Sequence, residues 1–464
     1  MTLEAKLDAP PRSIFTGPLR TTSVGILILI TLVAFEAMAV SAALPTAARD
    51  LHGLGGYGWA FTGFLIANVV GMVVAGQVSD GRGPRGPLIA GMASFLGGLV
   101  LAGTAVTMEQ LVAGRVVQGF GSGLLITATY VVIGETYPEE LRPKLFAAIS
   151  SAWILPALIG PVISGTITQQ LSWRWVFLGL VPFVLIGAAL TLPVLRTLHV
   201  EPGSRTSALA DPRRILHAFA VAGGIAALTQ AGQHPSPLSI GLAVVGLVAL
   251  VWGLRTLLPA GTVRVRRGVA APIAIRGLLA GSFFAVESLV PLSMTVQHGY
   301  SATAAGLPLA CSGLTWAAGS WWQGRAGHAD EQQHRVRLVR AGFGFVVLSA
   351  LAVAVTAQPS VPGWLIYPAW SLAGIGAGLT MTSASVLMLK YTNDADRGSD
   401  SAALQLSDAT VSAVTTGVAG VLVAAAARGA LGYTAAFTVL DLAMAGVALI
   451  GVLVAGQVRA PSPN

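Results

Sequence analysis

Four acidic residues and one arginine lie inside long apolar runs. Glu36 stands in ILITLVAFEAMAVSAALP (28–45), Glu287 in GSFFAVESLVPLS (281–293), Asp408 in QLSDATVSA (405–413) and Asp441 in TVLDLAMAG (438–446). Arg115 stands in LVAGRVVQGFGSG (111–123). An ionised side chain in hydrocarbon is unfavourable by roughly 2.5–3.5 kcal/mol on insertion scales, so such residues mark proton, ion or substrate paths by default. A carboxyl in a low-dielectric chamber has its charged form disfavoured. It can hold a proton and release it when water or a cation arrives. The plain alternative is a protonated acid hydrogen-bonded between helices, contributing about 1 kcal/mol to packing. For Asp408 and Asp441 that structural role is the expectation, with Asp408 also placed to join a gate.

The elements that carry these groups follow from composition. The chain has 464 residues, 54% hydrophobic and 10% charged, with a mean hydropathy of +0.75. Soluble domains carry about a quarter charged residues, so a polytopic helical membrane protein is expected. Its 56 glycines lie largely inside the apolar runs, where small residues let helices approach closely. The single cysteine, Cys311, excludes an intrachain disulfide and a cysteine-rich metal site. His217, His234 and His298 show no metal-ligand spacing, and no GxxxxGK[ST] loop is present to cradle a nucleotide. No metal and no cofactor are therefore expected, and a proton gradient would supply the energy.

Apolar spans are read at 22–46, 57–78, 86–106, 110–134, 145–169 and 175–195, then at 215–233 and 238–257. Six more follow at 272–297, 301–323, 338–357, 363–389, 400–427 and 433–457. With the N-terminus inside, every Lys and Arg except Arg49, Arg115, Arg174 and Arg428 falls on the inner side, as the positive-inside rule requires. The charge of +8 thus reads as membrane topology, with no nucleic-acid partner. A re-entrant hairpin in place of the middle pair would leave the asymmetry intact. The length of those two runs, and their lack of charge before Arg255, favour two full spans. Residues 1–20 are polar and the first apolar run is too long for a signal-peptide core, so the first helix is expected to remain as an anchor. The excess of arginine over lysine points to a GC-rich bacterial genome and hence a bacterial plasma membrane.

Several motifs sit on these spans. GQVSDGRGPRGPL (76–88) has the Gly, Asp, Gly and basic pattern of the loop signature of the major facilitator superfamily, carried by Gly76, Asp80, Arg82, Gly83 and Arg85. LVAGRVVQGFGSG resembles the superfamily's fourth-helix signature through Arg115, Gln118 and Gly119. LPALIGPVISG (155–165) resembles the fifth-helix motif of its exporters through Gly160, Pro161 and Gly165, with Pro156 and Ser164 replacing glycines. SWRWVFLGLVP (172–182) and GYSATAAGLPL (299–309) are similar to segments of the drug:proton antiporters. As plain alternatives, the loop is a charged turn, the Gly-Pro a packing kink, and Trp173 and Trp175 an interfacial belt.

The resemblance implies an all-α polytopic membrane protein of fourteen transmembrane helices. Two six-helix bundles related by pseudo-two-fold symmetry would flank two extra helices. The expected organisation is a cytoplasmic N-terminal tail (1–21), a first bundle (22–195), and cytoplasmic linkers with the two additional helices (196–270). A second bundle (271–457) and a cytoplasmic tail (458–464) follow. The first helix of each half would line a central cavity, which places Glu36 and Glu287 on corresponding helices. Arg115, on a third cavity helix, would adjust their charge balance. The family departs here in one respect: its fourteen-helix branch commonly has an aspartate in the first helix, where this chain has Glu36.

The implied function is a proton-coupled multidrug or lipophilic-cation/proton antiporter working by alternating access, a secondary transporter and not an enzyme. Its partners would be a small lipophilic substrate, cationic by preference, with protons and the bilayer; a monomer is expected. The alternative is export of lipids, amino acids or another metabolite on the same fold, with a proton-coupled symporter ranked lower. Trp316 and Trp370 are candidate cavity-lining rings that could stack on a cation, although a lipid-facing or interfacial place is favoured for them.

Overall fold

The computed structural model describes residues 13–16, 19–138, 141–195, 212–324, 331–393 and 397–459. Both tails and most of the linker expected after residue 195 lie outside these residues. A chain in lipid must satisfy its backbone polar groups internally, and the described residues are accordingly helical nearly throughout. The helices are α1 (Leu19–Asp50), α2 (Tyr57–Arg82), α3 (Arg85–Gly103), α4 (Met108–Thr136) and α5 (Arg142–Gln170). Next come α6 (Arg174–Leu178), α7 (Val181–Leu195), α8 (Pro212–Gln233), α9 (Pro237–Leu257) and α10 (Ala270–Gln297). The series ends with α11 (Ala302–Gly324), α12 (Glu331–Thr356), α13 (Ile366–Tyr391), α14 (Arg397–Ala427) and α15 (Tyr433–Val454).

Among the described residues, twelve segments are long and apolar enough to cross a membrane, with α6 and α7 counted as one. The helices α5 and α11, 29 and 23 residues long, fall outside that set. The sixth expected span is broken rather than continuous. Pro182 has no N–H to offer the carbonyl of Leu178, so the chain turns at Gly179 and Leu180 before α7 begins.

The packing order occurs twice. In the first group α4 packs on α2 and α3, and α1 on α5 and α7; in the second α13 packs on α11 and α12, and α10 on α14 and α15. The groups meet along two seams, α2 against α14 and α5 against α11. Small residues make both seams possible. A Cβ on Gly165 would lie 2.6 Å from the Ala302 carbonyl oxygen, one on Gly306 2.7 Å from that of Pro161, and one on Gly313 3.0 Å from that of Ala157. The Gly-Pro motif of α5 thus lies on an inter-group seam.

The inserted pair α8 and α9 is not a bystander, because α8 packs on both α2 and α14. Trp59 Nε1 donates to Gln233 Oε1 at 2.7 Å. Val221 and Ile225 share one apolar cluster with Val69, Leu406 and Ala413. The α2–α14 seam is therefore strapped by α8.

At the face carrying the α1–α2 turn, the two groups touch backbone to backbone. A Cβ on Gly58 would lie 2.1 Å from Gly420 Cα. Beside it the Tyr57 hydroxyl donates to the Ser288 carbonyl oxygen at 2.7 Å, and Thr303 Oγ1 donates to Gln169 Oε1 at 3.0 Å. A leucine at Gly58 has no room in this arrangement, and overpacking costs about 1–3 kcal/mol. Gly58→Leu is therefore expected to force this face open. In a Cys311→Ser background, Ser288→Cys should resist a membrane-impermeant maleimide added from that face and react once Gly58→Leu is present. Equal labelling in the two would mean that the glycine pair does not hold the face shut.

Candidate substrate and proton site

Arg115 reaches its partners because α4 approaches α2 without side chains between them. A Cβ on Gly119 would lie 2.1 Å from the Phe64 carbonyl oxygen, and one on Gly123 2.2 Å from that of Asn68. This closeness lets Arg115 Nε donate to the Ala60 carbonyl oxygen at 3.1 Å and sets its guanidinium carbon 4.3 Å from the centre of the Phe64 ring. Its Nη1 donates to Glu36 Oε1 on α1 and to Gln118 Oε1 at 3.3 Å. Gln118 Nε2 also donates to Glu36 Oε1, at 3.4 Å. The Arg115 and Glu36 side chains are only 3% and 1% exposed. A buried ion pair needs such extra hydrogen bonds, since desolvation opposes the Coulomb gain. Glu36 Oε2, however, has no partner among the described residues. One buried carboxylate oxygen is thus left to accept from something else.

Glu287 stands apart from this cluster. It is buried on α10 and makes no hydrogen bond or ion pair with a described residue. One turn earlier, Phe283 packs against Trp370 at 4.9 Å and edge-on to Trp316 at 5.2 Å between ring centres. Trp370 is 1% exposed, so the lipid-facing place expected for it is wrong: its ring closes the interior of the second group. Trp316 is half-buried.

Asp408 has a partner that the sequence reading passed over. Arg276 counts among the charges on the inner side by the positive-inside rule, yet it lies inside α10. Its Nε donates to Asp408 Oδ1 at 3.3 Å, its Nη2 to Asp408 Oδ2, and its Nη1 to Ser385 Oγ on α13 at 3.0 Å. The signal was available in PIAIRGLLAG (272–281), where a lone arginine is apolar on both sides. Asp441 is buried on α15 and bonds to no described residue.

Gly83 takes φ +82°, a conformation that disfavours any side chain, as α2 ends. Asp80, Arg82 and Arg85 are exposed, and Gly76 faces open space. Gly160 makes ordinary contact with Phe35 and Met38 of α1. In SWRW, Trp173 is buried and donates to Asp50 Oδ2 at 2.9 Å, while Arg174 donates to the same oxygen at 3.2 Å. Trp173 is thus a tether from α6 to the end of α1, and only the exposed Trp175 suits an interfacial belt.

The fold has known counterparts. A POT family transporter solved with a thioalcohol-conjugated peptide superposes with a TM-score of 0.68 at 17% identity, covering 94% of this chain and 96% of that one. The human organic anion transporter MFSD10 (TETRAN) does so at 0.60 and 15%, covering 95% and 100%. In sequence, the chain is 31% identical over 153 residues to multidrug resistance protein 3 of Bacillus subtilis, covering 33% of this chain and 30% of that protein. It is 29% identical over 171 residues to the multidrug efflux pump SdrM of Staphylococcus aureus, covering 37% and 38%. These matches span about a third of the length of the relatives. The Major Facilitator Superfamily profile, by contrast, matches residues 26–416, most of the chain. With that match, and with the paired packing of its helices, this multi-pass membrane protein belongs to the Major Facilitator Superfamily of transporters.

Proposed function

We propose that the protein is a proton-coupled exporter of small lipophilic cations, an antiporter of the fourteen-helix drug:proton branch. In this reading α5 and α11 also cross the bilayer, and the two groups of helices are pseudo-symmetric halves. The termini face the cytoplasm, and the contacts around Gly58, Tyr57 and Gly165 form an outer closure, so the chamber opens inward. The multidrug relatives and the exporter-like α5 seam support export.

One observation carries the reading. The first long helices of the two groups each bury a glutamate, and the two are differently equipped. Glu36 is neutralised by Arg115 and keeps one free oxygen, which suits orienting a substrate. Glu287 has no counter-charge among the described residues, and ionising it in a dry interior is costly. It is the group placed to carry the proton, giving it up as water or a cation arrives. Competition of that kind, with alternating access, is sufficient for antiport.

The test uses inverted membrane vesicles, acidified inside and loaded with a fluorescent pH probe. Adding lipophilic cations should release protons from vesicles containing the protein and not from vesicles lacking it. Silence towards the whole panel, with the protein inserted, would defeat the reading in favour of lipid or metabolite export.

A further inference from the structure

Export makes no use of the exterior of the inserted pair, α8 and α9. Residues 212–286 carry seven arginines and no acidic residue. Arg276 is matched by Asp408. Arg214, Arg255, Arg264, Arg266 and Arg267 are exposed, and none of them forms an ion pair with a described residue. Packing brings them to one end of the pair. A Cβ on Gly253 of α9 would lie 2.6 Å from the His217 carbonyl oxygen of α8, and the His217 and Trp252 rings are 4.2 Å apart. Arg214 precedes His217 by less than a turn and Arg255 follows Gly253 by two residues. Because α14 runs parallel to α8, with Gly417 at Thr229 and Val421 at Gly232, its first turn brings Arg397 and Asp400 to this level. Those two cancel, and the local charge stays positive.

The loop that follows α9 is held in shape. Thr262 Oγ1 donates to the Pro259 carbonyl oxygen at 2.7 Å, and the Arg266 N–H donates to that of Gly261 at 3.1 Å. Gly261 and Gly268 take φ +92° and +98°. Val265 takes φ +49°, a conformation unfavourable for a β-branched residue. Leu258, where the loop starts, packs against both the α8–α14 cluster and the cluster of Ile273 with Leu404. Arg264, Arg266 and Arg267 are thereby displayed around Val263, which is 71% exposed.

The surface beside these arginines is apolar. Val245, Val248, Trp252 and Arg255 recur at helical spacing on one face of α9, and the first three are 64%, 63% and 48% exposed. That face offers an acyl chain a track that ends at a guanidinium. A soluble anion would use the arginines and leave the track idle. Arginines grouped beside an apolar face at a membrane surface attract anionic headgroups.

We propose that the outer face of α9 and the 259–268 loop form a binding site for an anionic phospholipid. Arg255, Arg264, Arg266 and Arg267 take the headgroup phosphate, and one acyl chain lies along Val245, Val248 and Trp252. The site concerns the bilayer and not the cargo, so it stands or falls separately from the export reading.

Native mass spectrometry of the full-length protein in neutral detergent provides the test. Phosphatidylglycerol and phosphatidylcholine with the same acyl chains are offered together, and the ratio bound is read. Wild type is expected to favour phosphatidylglycerol by about tenfold, or about 1.4 kcal/mol, and by less at high salt. With Arg255→Gln, Arg264→Gln, Arg266→Gln and Arg267→Gln combined, the ratio should fall to about one. Lysine at the same four positions keeps the charge and should keep most of the preference, so a loss with glutamine reports charge and not folding. A control removes four other exposed arginines on the same side in the proposed topology, Arg20, Arg82, Arg85 and Arg459, and should behave as wild type. A wild-type ratio near one, or a preference that survives the four glutamines, would overturn the site. An equal loss in the control would overturn it too, as diffuse attraction. Displacement of the lipid by excess inorganic phosphate would replace it with a soluble-anion site.

Discussion

With glutamine at position 287, proton release on substrate addition is expected to disappear, and the pH dependence of substrate affinity with it. The side chain is buried one turn from Phe283, whose ring packs on Trp316 and Trp370, and has no charged partner among the described residues. In wild type the carboxyl must lose its proton before it can face a cation, so affinity for a lipophilic cation should rise with pH. Glutamine has the same shape and no proton to lose. Its affinity should be flat across the same pH range, and coupled release should drop by at least about tenfold, which corresponds to 1.4 kcal/mol of lost coupling. Wild-type proton release from the Glu287→Gln protein would remove this residue from the coupling step. Glu36→Gln is expected to act differently, because it strands Arg115 without its counter-charge and so disturbs folding and substrate orientation together.

Arg115→Met should be the most destabilising single change in the first group. It leaves Glu36 buried without its cation, and breaking a buried pair in this way costs about 3–5 kcal/mol. The bond to the Ala60 carbonyl and the contact with the Phe64 ring go with it. Arg115→Met/Glu36→Gln removes both charges and should recover most of the stability, while transport stays lost because the oriented carboxylate is gone. Thermal unfolding of the four proteins of this double-mutant cycle in detergent measures the coupling. Additive losses would show that the two side chains act independently, contrary to their bonding. A large positive coupling without recovery of transport is the expected pattern.

The interior polar groups of the second group pose a related question of legibility. Asp408 was expected to be structural on the strength of its own helix, and its bond to Arg276 is invisible from that helix alone. The two residues are 132 positions apart. Trp370 was expected at the lipid boundary, where tryptophans gather, and it instead fills the space against Phe283. Neither placement is legible in one helix alone, for one reason. A membrane helix that is apolar on all sides carries no polar stripe to reveal which face turns inward.

What the amino-acid sequence determined by itself was one-dimensional. Each buried run must satisfy its own backbone as a helix, so the succession of long helices, apart from the break between α6 and α7, could be read from apolar length. The identity of the uncomfortable charges was equally legible, because Glu36, Arg115 and Glu287 interrupt apolar runs whatever surrounds them. Only the tertiary structure decided how those charges are matched. Glu36 meets Arg115 across 79 residues, Arg276 meets Asp408, and Glu287 is left without a described partner. Matching depends on the rotation and depth of each helix against its neighbours. Those are set by glycine contacts such as Gly119 on the Phe64 carbonyl and Gly58 on Gly420, which combine segments far apart in the chain.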